Sequence, residues 1–224
     1  MMCGDLSLHK EYYTVLTPAV TEFEEKKSRF ISSVQPVSSE DEAVKFIQSL
    51  KTKYWDATHN VYAYYICDDN EIQRFNDDGE PSGTAGLPIL EVIKRMEVRN
   101  LVVVVTRYFG GTLLGAAGLV RAYSKSAAMG IEAATIVKRL LCTGVQIIIE
   151  YSQLGKVQNA LLSEGYFIRN IKYGQDVEFT AYVPVDRVDG FKAMINEVTS
   201  GGALMDFGEK AYITLDGSGK PLFD

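Results

Sequence analysis

The chain has 224 residues, of which 46% are apolar, so it supports a packed core in one large or two small domains and is not intrinsically disordered. Its formal net charge of −6 argues against a protein that coats nucleic acid through a basic surface on every side. Cys3, Cys67 and Cys142 are odd in number and too widely spaced for a thiolate zinc site, a usage that fits a reducing, cytoplasmic setting.

The opening Met1-Met2-Cys3-Gly4-Asp5 has no basic region leading into an apolar one, and no apolar run approaches the length of a membrane span. Neither a signal peptide nor a membrane anchor is expected. Residues 28–37 alternate and read as a strand, with Lys26, Lys27 and Arg29 at its start. Residues 39–52 predict an amphipathic helix, in which Ser39 and Glu42 form a capping box and Ala43, Phe46, Ile47 and Leu50 share one face. Residues 61–67 are aromatic and β-branched and predict a strand, with His59 just ahead of it. Asp68-Asp69-Asn70 predicts a turn, and residues 71–75 the returning strand, which delivers the chain to Asp77. Residues 83–96 predict a helix, with Pro88 tolerated only inside the first turn. Residues 101–105 are apolar throughout and predict a strand buried on both faces. Residues 113–134 predict a long helix whose Gly115, Gly118, Ala122, Ala127 and Gly130 allow a close approach to the sheet. Each glycine costs roughly 1 kcal/mol of helix propensity.

From residue 143 the order changes. A strand over 145–151 precedes a helix capped by Ser152 and ended by Gly165. A hairpin of 166–173 and 177–183 turns at Gly174, a helix capped by Asp186 follows, and 203–215 supplies a last strand. The order β-α-β-β-α-β is that of a ferredoxin-like domain. The chain therefore reads as an α+β protein of two domains, 1–138 and 139–224, with residues 136–142 as the passage between them.

Residues able to carry chemistry gather in 77–88 and 102–123. Asp77, Asp78 and Glu80 form the tight acidic group: either a solvated hairpin end beside a helix start, or part of a magnesium site completed by substrate. Ser82 and Thr84 are helix caps or nucleophiles, although no nucleophile elbow surrounds them. His59 is a hydrogen-bonded strand-start residue or a base. His9 and His59 are the only histidines and no H-E-x-x-H is present. Gly110, Gly111, Gly115 and Gly118 follow an apolar strand and open a helix, a context that suits a phosphate. Neither a P-loop nor a dinucleotide fingerprint is formed, so no cofactor is expected. Arg107 and Arg121 flank these glycines, and arginine forks suit phosphate. Tyr108, Phe109 and Tyr123 are core residues or base-stacking residues. Residues 94–125 hold six basic side chains against Glu97 alone, a net of +5 that leaves −11 for the rest.

Asp78-Gly79-Glu80-Pro81-Ser82-Gly83-Thr84-Ala85-Gly86 and Val105-Thr106-Arg107-Tyr108-Phe109-Gly110-Gly111 together resemble the signature of the IMPACT/YigZ family, as do Lys27-Ser28-Arg29-Phe30 and Thr58-His59-Asn60. The resemblance spans nearly the whole chain and is to the two-domain bacterial form, with Ala117 standing where a glycine is common. It implies an N-terminal α/β domain like domain 2 of ribosomal protein five, also seen in domain IV of elongation factor G, and a C-terminal domain similar to domain V of that factor. Eukaryotic relatives regulate translation by competing for the activator of a kinase that phosphorylates an initiation factor. They use an extra domain of which this sequence shows no trace, so that role is not carried over. A peptidase label attached to some bacterial relatives finds no support in these residues.

The expectation is a cytoplasmic, non-catalytic protein that binds RNA or the ribosome and bears on translation. Arg107, Arg121 and Lys125 would contact phosphate, the N–H groups of Gly83, Gly110 and Gly111 would cradle it, and His59 or Tyr108 would touch bases. The alternative is a metal-assisted hydrolase of a small phosphorylated or peptide-like substrate, with Asp78 and Glu80 at the metal or as acid and base and Ser82 or Thr84 nearby. A third use, capture of a protein partner, falls to the acidic second domain, where residues 143–224 carry seven Lys/Arg and eleven Asp/Glu.

Overall fold

A computed structural model describes residues 9–67 and 71–222. Cys3, the opening Met1 to Asp5 and the turn expected at Asp68-Asp69-Asn70 lie outside the described residues. The chain divides into two compact units, one spanning 12–138 and the other combining 9–11 with 139–224.

The first unit contains most of β1 (Glu11–Val15), then β2 (Ala19–Glu25), β3 (Ser28–Pro36), α1 (Glu40–Lys53), β4 (His59–Cys67), β5 (Glu71–Asn76), α2 (Gly86–Arg95), β6 (Leu101–Tyr108) and α3 (Ala116–Ala133). Its sheet has the order β2-β3-β6-β4-β5, antiparallel throughout. The central β6 is buried from Leu101 to Arg107, because helices cover both faces of the sheet. On one face Leu101, Val103 and Val105 join Phe30, Val34, Val61 and Ala63 against Ile89 and Ile93 of α2 and Leu119, Tyr123 and Ile131 of α3. On the other, Val102 and Val104 pack with Tyr64 and Ile66 against Ala43, Ile47 and Leu50 of α1. An uninterrupted apolar run thus serves an antiparallel strand as well as a parallel one, provided that both faces are covered.

Local signals explain most element ends. Ser39 caps α1 by accepting from Glu42 N–H (3.3 Å), but the Glu42 carboxylate returns to Ser38, accepting from its N–H (2.7 Å) and hydroxyl (3.0 Å), so the capping box is shifted by one residue. Helix α2 begins at Gly86, three residues later than expected, and Pro88 does fall in its first turn. Helix α3 begins at Ala116 rather than 113, because Gly115 stands ahead of it at φ +73°, in the left-handed region. Gly130 is the point of closest approach: a Cβ there would lie 2.3 Å from Ser32 Oγ and 2.9 Å from Val34 Cγ2.

The second unit holds β7 (Ile136–Ile149), a 3-10 turn at Tyr151–Gln153, α4 (Leu154–Ser163), β8 (Phe167–Tyr173), β9 (Val177–Pro184), α5 (Val188–Thr199) and β10 (Leu204–Leu215). The passage expected over 136–142 and the strand expected over 145–151 are one continuous strand, β7, which carries the chain from the first unit into the second. The sheet runs β10-β7-β9-β8, with β1 also paired to β7. This is the ferredoxin-like arrangement. Val145, Ile147, Phe179 and Val183 pack against Val157, Leu161, Phe191 and Ile195 of the two helices. The expected caps Ser152 and Asp186 do not cap. The Ser152 hydroxyl donates to Glu150, Asp186 pairs with Lys10 (3.5 Å), and neither α4 nor α5 has a side-chain cap. Gly165, at φ +73°, ends α4 as expected, with Tyr166 N–H donating to Leu161 O (2.9 Å).

Gly130→Ala tests the close packing of α3. The alanine contributes about 1 kcal/mol of helix propensity, but a methyl inside contact distance of a buried serine and valine costs about 1–3 kcal/mol. Net destabilisation is expected, read as a lower urea midpoint.

Candidate functional site

Strand register brings the two sequence motifs together. On β6, Arg107 lies opposite Phe30 of β3 and His59 of β4. Side chains alternate along a strand, so Arg107 shares the face of Val103 and Val105, directed at α2 and α3. It is 4% exposed. A charge in that position must be paired, and the partner is Glu80, 2.6 Å from the Arg107 guanidinium and itself buried. Tyr123 of α3 donates to the same Glu80 oxygen (2.7 Å), and His59 Nε2 lies 3.8 Å from it. Arg107 also donates to Ser28 Oγ (3.2 Å), and its guanidinium lies over the rings of Phe30 (5.4 Å) and Phe109 (5.5 Å). Burial and the adjacent Glu80 carboxylate push the Tyr123 phenol far above its ordinary pKa, so it remains a donor.

The segment carrying Glu80 is held by its neighbours. Asp77 accepts from the N–H groups of Gly83 (2.9 Å), Ala85 (3.1 Å) and Gly86 (2.7 Å), and so caps α2 from nine residues upstream of its first residue. Asp78 accepts from Lys51 (2.7 Å) with one oxygen and from Asn60 N–H (2.7 Å) with the other. Its backbone carbonyl lies 2.8 Å from His59 Nδ1. A carbonyl only accepts, so Nδ1 carries a hydrogen and Nε2 is the ring nitrogen turned towards Glu80. Asn60 in turn accepts from Thr106 Oγ1 (2.7 Å) and donates to Tyr54 O (3.3 Å).

The structure therefore divides the residues singled out in the sequence. His59, Glu80 and Arg107 meet in one buried cluster, with Gly110 at its edge, its N–H donating to Ser28 Oγ (3.2 Å). Arg107 does not face solvent, which corrects its expected phosphate contact. The Gly83 and Gly110 N–H groups are engaged by Asp77 and Ser28 and do not cradle an anion. Thr84 is buried and its hydroxyl donates to Pro81 O (2.7 Å), so neither it nor Ser82, which is exposed, caps α2. Asp78 and Glu80 are bound to different partners and do not converge on one ion. Among the described residues, no group of three or more His, Cys, Asp or Glu could hold a metal. Gly111 is exposed at φ +81°. Tyr108 is half-buried, its hydroxyl donating to Asp56 (2.9 Å) and Arg29 over its ring (5.8 Å).

Arg121 and Lys125 lie elsewhere. Both are exposed on α3 and, with Lys26, line a cleft of about 330 Å³ between that helix and the β2–β3 turn. Phe23, Leu114, Gly118 and Ala122 supply its apolar lining and Glu25 its one acid, and Lys125 Nζ stands 4.4 Å from the Phe23 ring centroid. Further residues complete both places: Ser28 and Lys26, which the sequence reading gave no role in a site, and Asp77 and Tyr123, which serve the cluster as a helix cap and a buried donor and not as a metal ligand or a stacking ring. The Lys26-Lys27-Ser28-Arg29 run was the visible signal for Lys26 and Ser28. Nothing local distinguishes Asp77, which caps α2, from Asp78, which bonds Lys51 and Asn60 instead.

Comparison with known proteins agrees with this two-part organisation. Residues 26–131 match the model of the Impact N-terminal domain, and 147–201 match a domain of unknown function, DUF1949. The IMPACT family member YvyE of Bacillus subtilis (strain 168) is 43% identical over 202 residues, 90% of this chain and 93% of that one. The IMPACT family member YigZ of Escherichia coli (strain K12) is 32% identical over 194 residues, 85% and 95% of the two chains. A solved structure described as a crystal structure of an hypothetical protein superposes at TM-score 0.58 with 30% identity, covering 90% of this chain and 98% of that one. The chain belongs to the IMPACT family.

Glu80→Gln removes one charge of the buried pair while keeping its volume. Breaking such a pair costs about 3–5 kcal/mol, because the remaining charge is left buried alone. Equilibrium urea unfolding should show a loss of that size in Glu80→Gln. Glu80→Gln/Arg107→Met, which removes both charges, should recover a large part of it.

Proposed function

We propose that the chain is a cytoplasmic, non-catalytic protein that binds RNA or the ribosome and bears on translation. The observation that carries this reading is the cleft of Lys26, Arg121 and Lys125. Three cations converge on a concavity with an apolar floor, on a protein whose overall charge is −6. Lysine and arginine ammonium and guanidinium groups suit phosphate oxygens, and the apolar lining suits a sugar or base edge. The resemblance to a family whose eukaryotic members regulate translation supports the process, and the resemblance of the two domains to domains IV and V of elongation factor G supports a ribosomal partner. Among the described residues no helix is long and apolar enough to cross a membrane, which is compatible with the cytoplasmic placement.

Co-sedimentation with ribosomes and separated subunits, at low and moderate salt, tests the reading. Wild type should bind one fraction in a salt-sensitive manner. Arg121→Ala/Lys125→Ala should weaken that binding and flatten its dependence on salt, by about 0.7 in log–log slope for each lost phosphate contact on a single strand. Arg107→Ala should instead lower stability, since its guanidinium is in the core. Absence of wild-type binding at both salt concentrations overturns the proposal.

A further inference from the structure

Beside the basic cleft the first unit displays a second feature that its own fold does not use. Trp55, the only tryptophan of the chain, is 83% exposed. A tryptophan left in water forgoes a large burial gain, and this one is not on a frayed end. The carbonyl of Tyr54 accepts from Ala57 N–H (3.1 Å) and from the Asn60 side chain (3.3 Å), and Tyr54 N–H closes α1 on Leu50 O (2.8 Å). The loop is therefore fixed on both sides of an indole that it holds in solvent.

The neighbours of the loop are aromatic and basic. Asp56 accepts from the Tyr108 hydroxyl (2.9 Å), and Thr58 Oγ1 accepts from Phe109 N–H (3.0 Å), which joins the Trp55 loop to the end of β6. Phe109 is 45% exposed, and Leu113, in the same glycine-rich loop, is exposed too. Gly110 lies so close to the backbone of Lys27 that a Cβ would fall 2.0 Å from it, and Lys27 adjoins the Lys26 of the cleft. Lys53, one residue before Tyr54, is over the Tyr54 ring at 4.9 Å. Bonds from Asp56 and Thr58 thus tie the Trp55 loop to Tyr108 and Phe109, and the chain beyond Phe109 packs through Gly110 on Lys27, next to the Lys26 that lines the cleft with Arg121 and Lys125, so that these segments form one strip.

We infer that this strip is a binding surface for a single-stranded polynucleotide, with an unpaired base stacked on Trp55, a second base against Phe109, and the connecting phosphates directed to the lysines and Arg121. The inference rests on the anion-binding reading of the cleft and adds the ligand class. Exposed aromatic rings interleaved with cations are the arrangement that takes single strands, because every base offers a π-face whereas a duplex keeps its bases stacked internally. The preformed loop avoids the ordering cost of organising the platform on binding.

The unique tryptophan gives the test its own reporter. Wild type, Trp55→Ala, Trp55→Phe and Arg121→Ala/Lys125→Ala are titrated into fluorescein-labelled single-stranded oligoadenylate, with anisotropy giving affinity. In wild type, unlabelled oligoadenylate and inorganic polyphosphate are also followed by Trp55 emission. Oligoadenylate should quench Trp55 over the same concentration range in which anisotropy rises, and polyphosphate should bind without quenching. Trp55→Ala should weaken oligoadenylate binding about tenfold, the usual effect of removing one stacking ring, leave polyphosphate competition unchanged, and be partly rescued by Trp55→Phe. Equal oligoadenylate affinity in Trp55→Ala and wild type overturns the platform, as does equal quenching by polyphosphate. If Trp55→Ala weakens binding while Arg121→Ala/Lys125→Ala does not, the platform stands and the cleft reading falls. If neither polyanion binds wild type, both fall.

Discussion

The first unit depends on one buried charge. Arg107 sits where the apolar row of β6 ends, on the face that α2 and α3 cover, and a guanidinium there is tolerable only with a carboxylate beside it. Glu80 is the only acid that the segment between β5 and α2 delivers to that place. Its delivery requires the turn at Asp78 and Gly79, with φ +44° and +89°, and the bonds that Asp77 and Asp78 make to either side. The same turn fixes the start of α2, since Asp77 caps it. Tyr123 then ties α3 to the pair. The two sequence motifs, nearly thirty residues apart, are in this sense one structural device in two pieces. Several residues that carry the resemblance to the family, among them Ser28, His59, Asn60, Asp78, Glu80, Thr106 and Arg107, satisfy one another or their neighbours inside the domain.

This accounts for what was legible in the sequence and what was not. The architecture was readable because periodicity records burial: the run 101–105, the face of α1 and the β-α-β-β-α-β order all specify elements locally. Roles were less readable because they depend on partners distant along the chain. Ser82, Thr84, Ser152 and Asp186 have the chemistry of caps, yet α2 takes its cap from Asp77 and α4 and α5 take none from a side chain. Arg107 looked like a phosphate ligand because arginine beside glycines has that chemistry. One sign to the contrary was present: counting by twos from Val103 through Val105 places Arg107 on a buried face. The strand continued to Tyr108 because the charge had a partner, and the partner was invisible until Glu80 was folded over it.

The net charge of a sequence window proved a similar mixture. Of the six cations in 94–125, Arg107 is neutralised internally, Lys94 pairs with Glu91 at 3.8 Å, and Arg99 lies over the Tyr65 ring. The cleft draws only Arg121 and Lys125 from that window and takes its third cation, Lys26, from a turn some ninety-five residues earlier. Surface electrostatics is therefore set by which strands and helices become neighbours, and a window count describes it only where charges one helical turn apart, such as Arg121 and Lys125, share a face.

An acidic protein with a small basic cleft selects its ligand differently from a basic one. At physiological ionic strength charges are screened over about 8 Å, so the acids elsewhere on the surface neither repel a polyanion at long range nor assist it. Attraction begins only when a phosphate is already near Lys26, Arg121 and Lys125. Three cations give a shallow salt dependence and a weak hold on a random strand, and the shape of the surface around them decides what remains bound. On the RNA-binding reading, that surface is the fixed Trp55 loop and the glycine-rich segment carrying Phe109 and Leu113. The folded core built on Arg107 and Glu80 then contributes to recognition indirectly, by holding the end of β6 in place, and with it the segment from which Phe109 and Leu113 project.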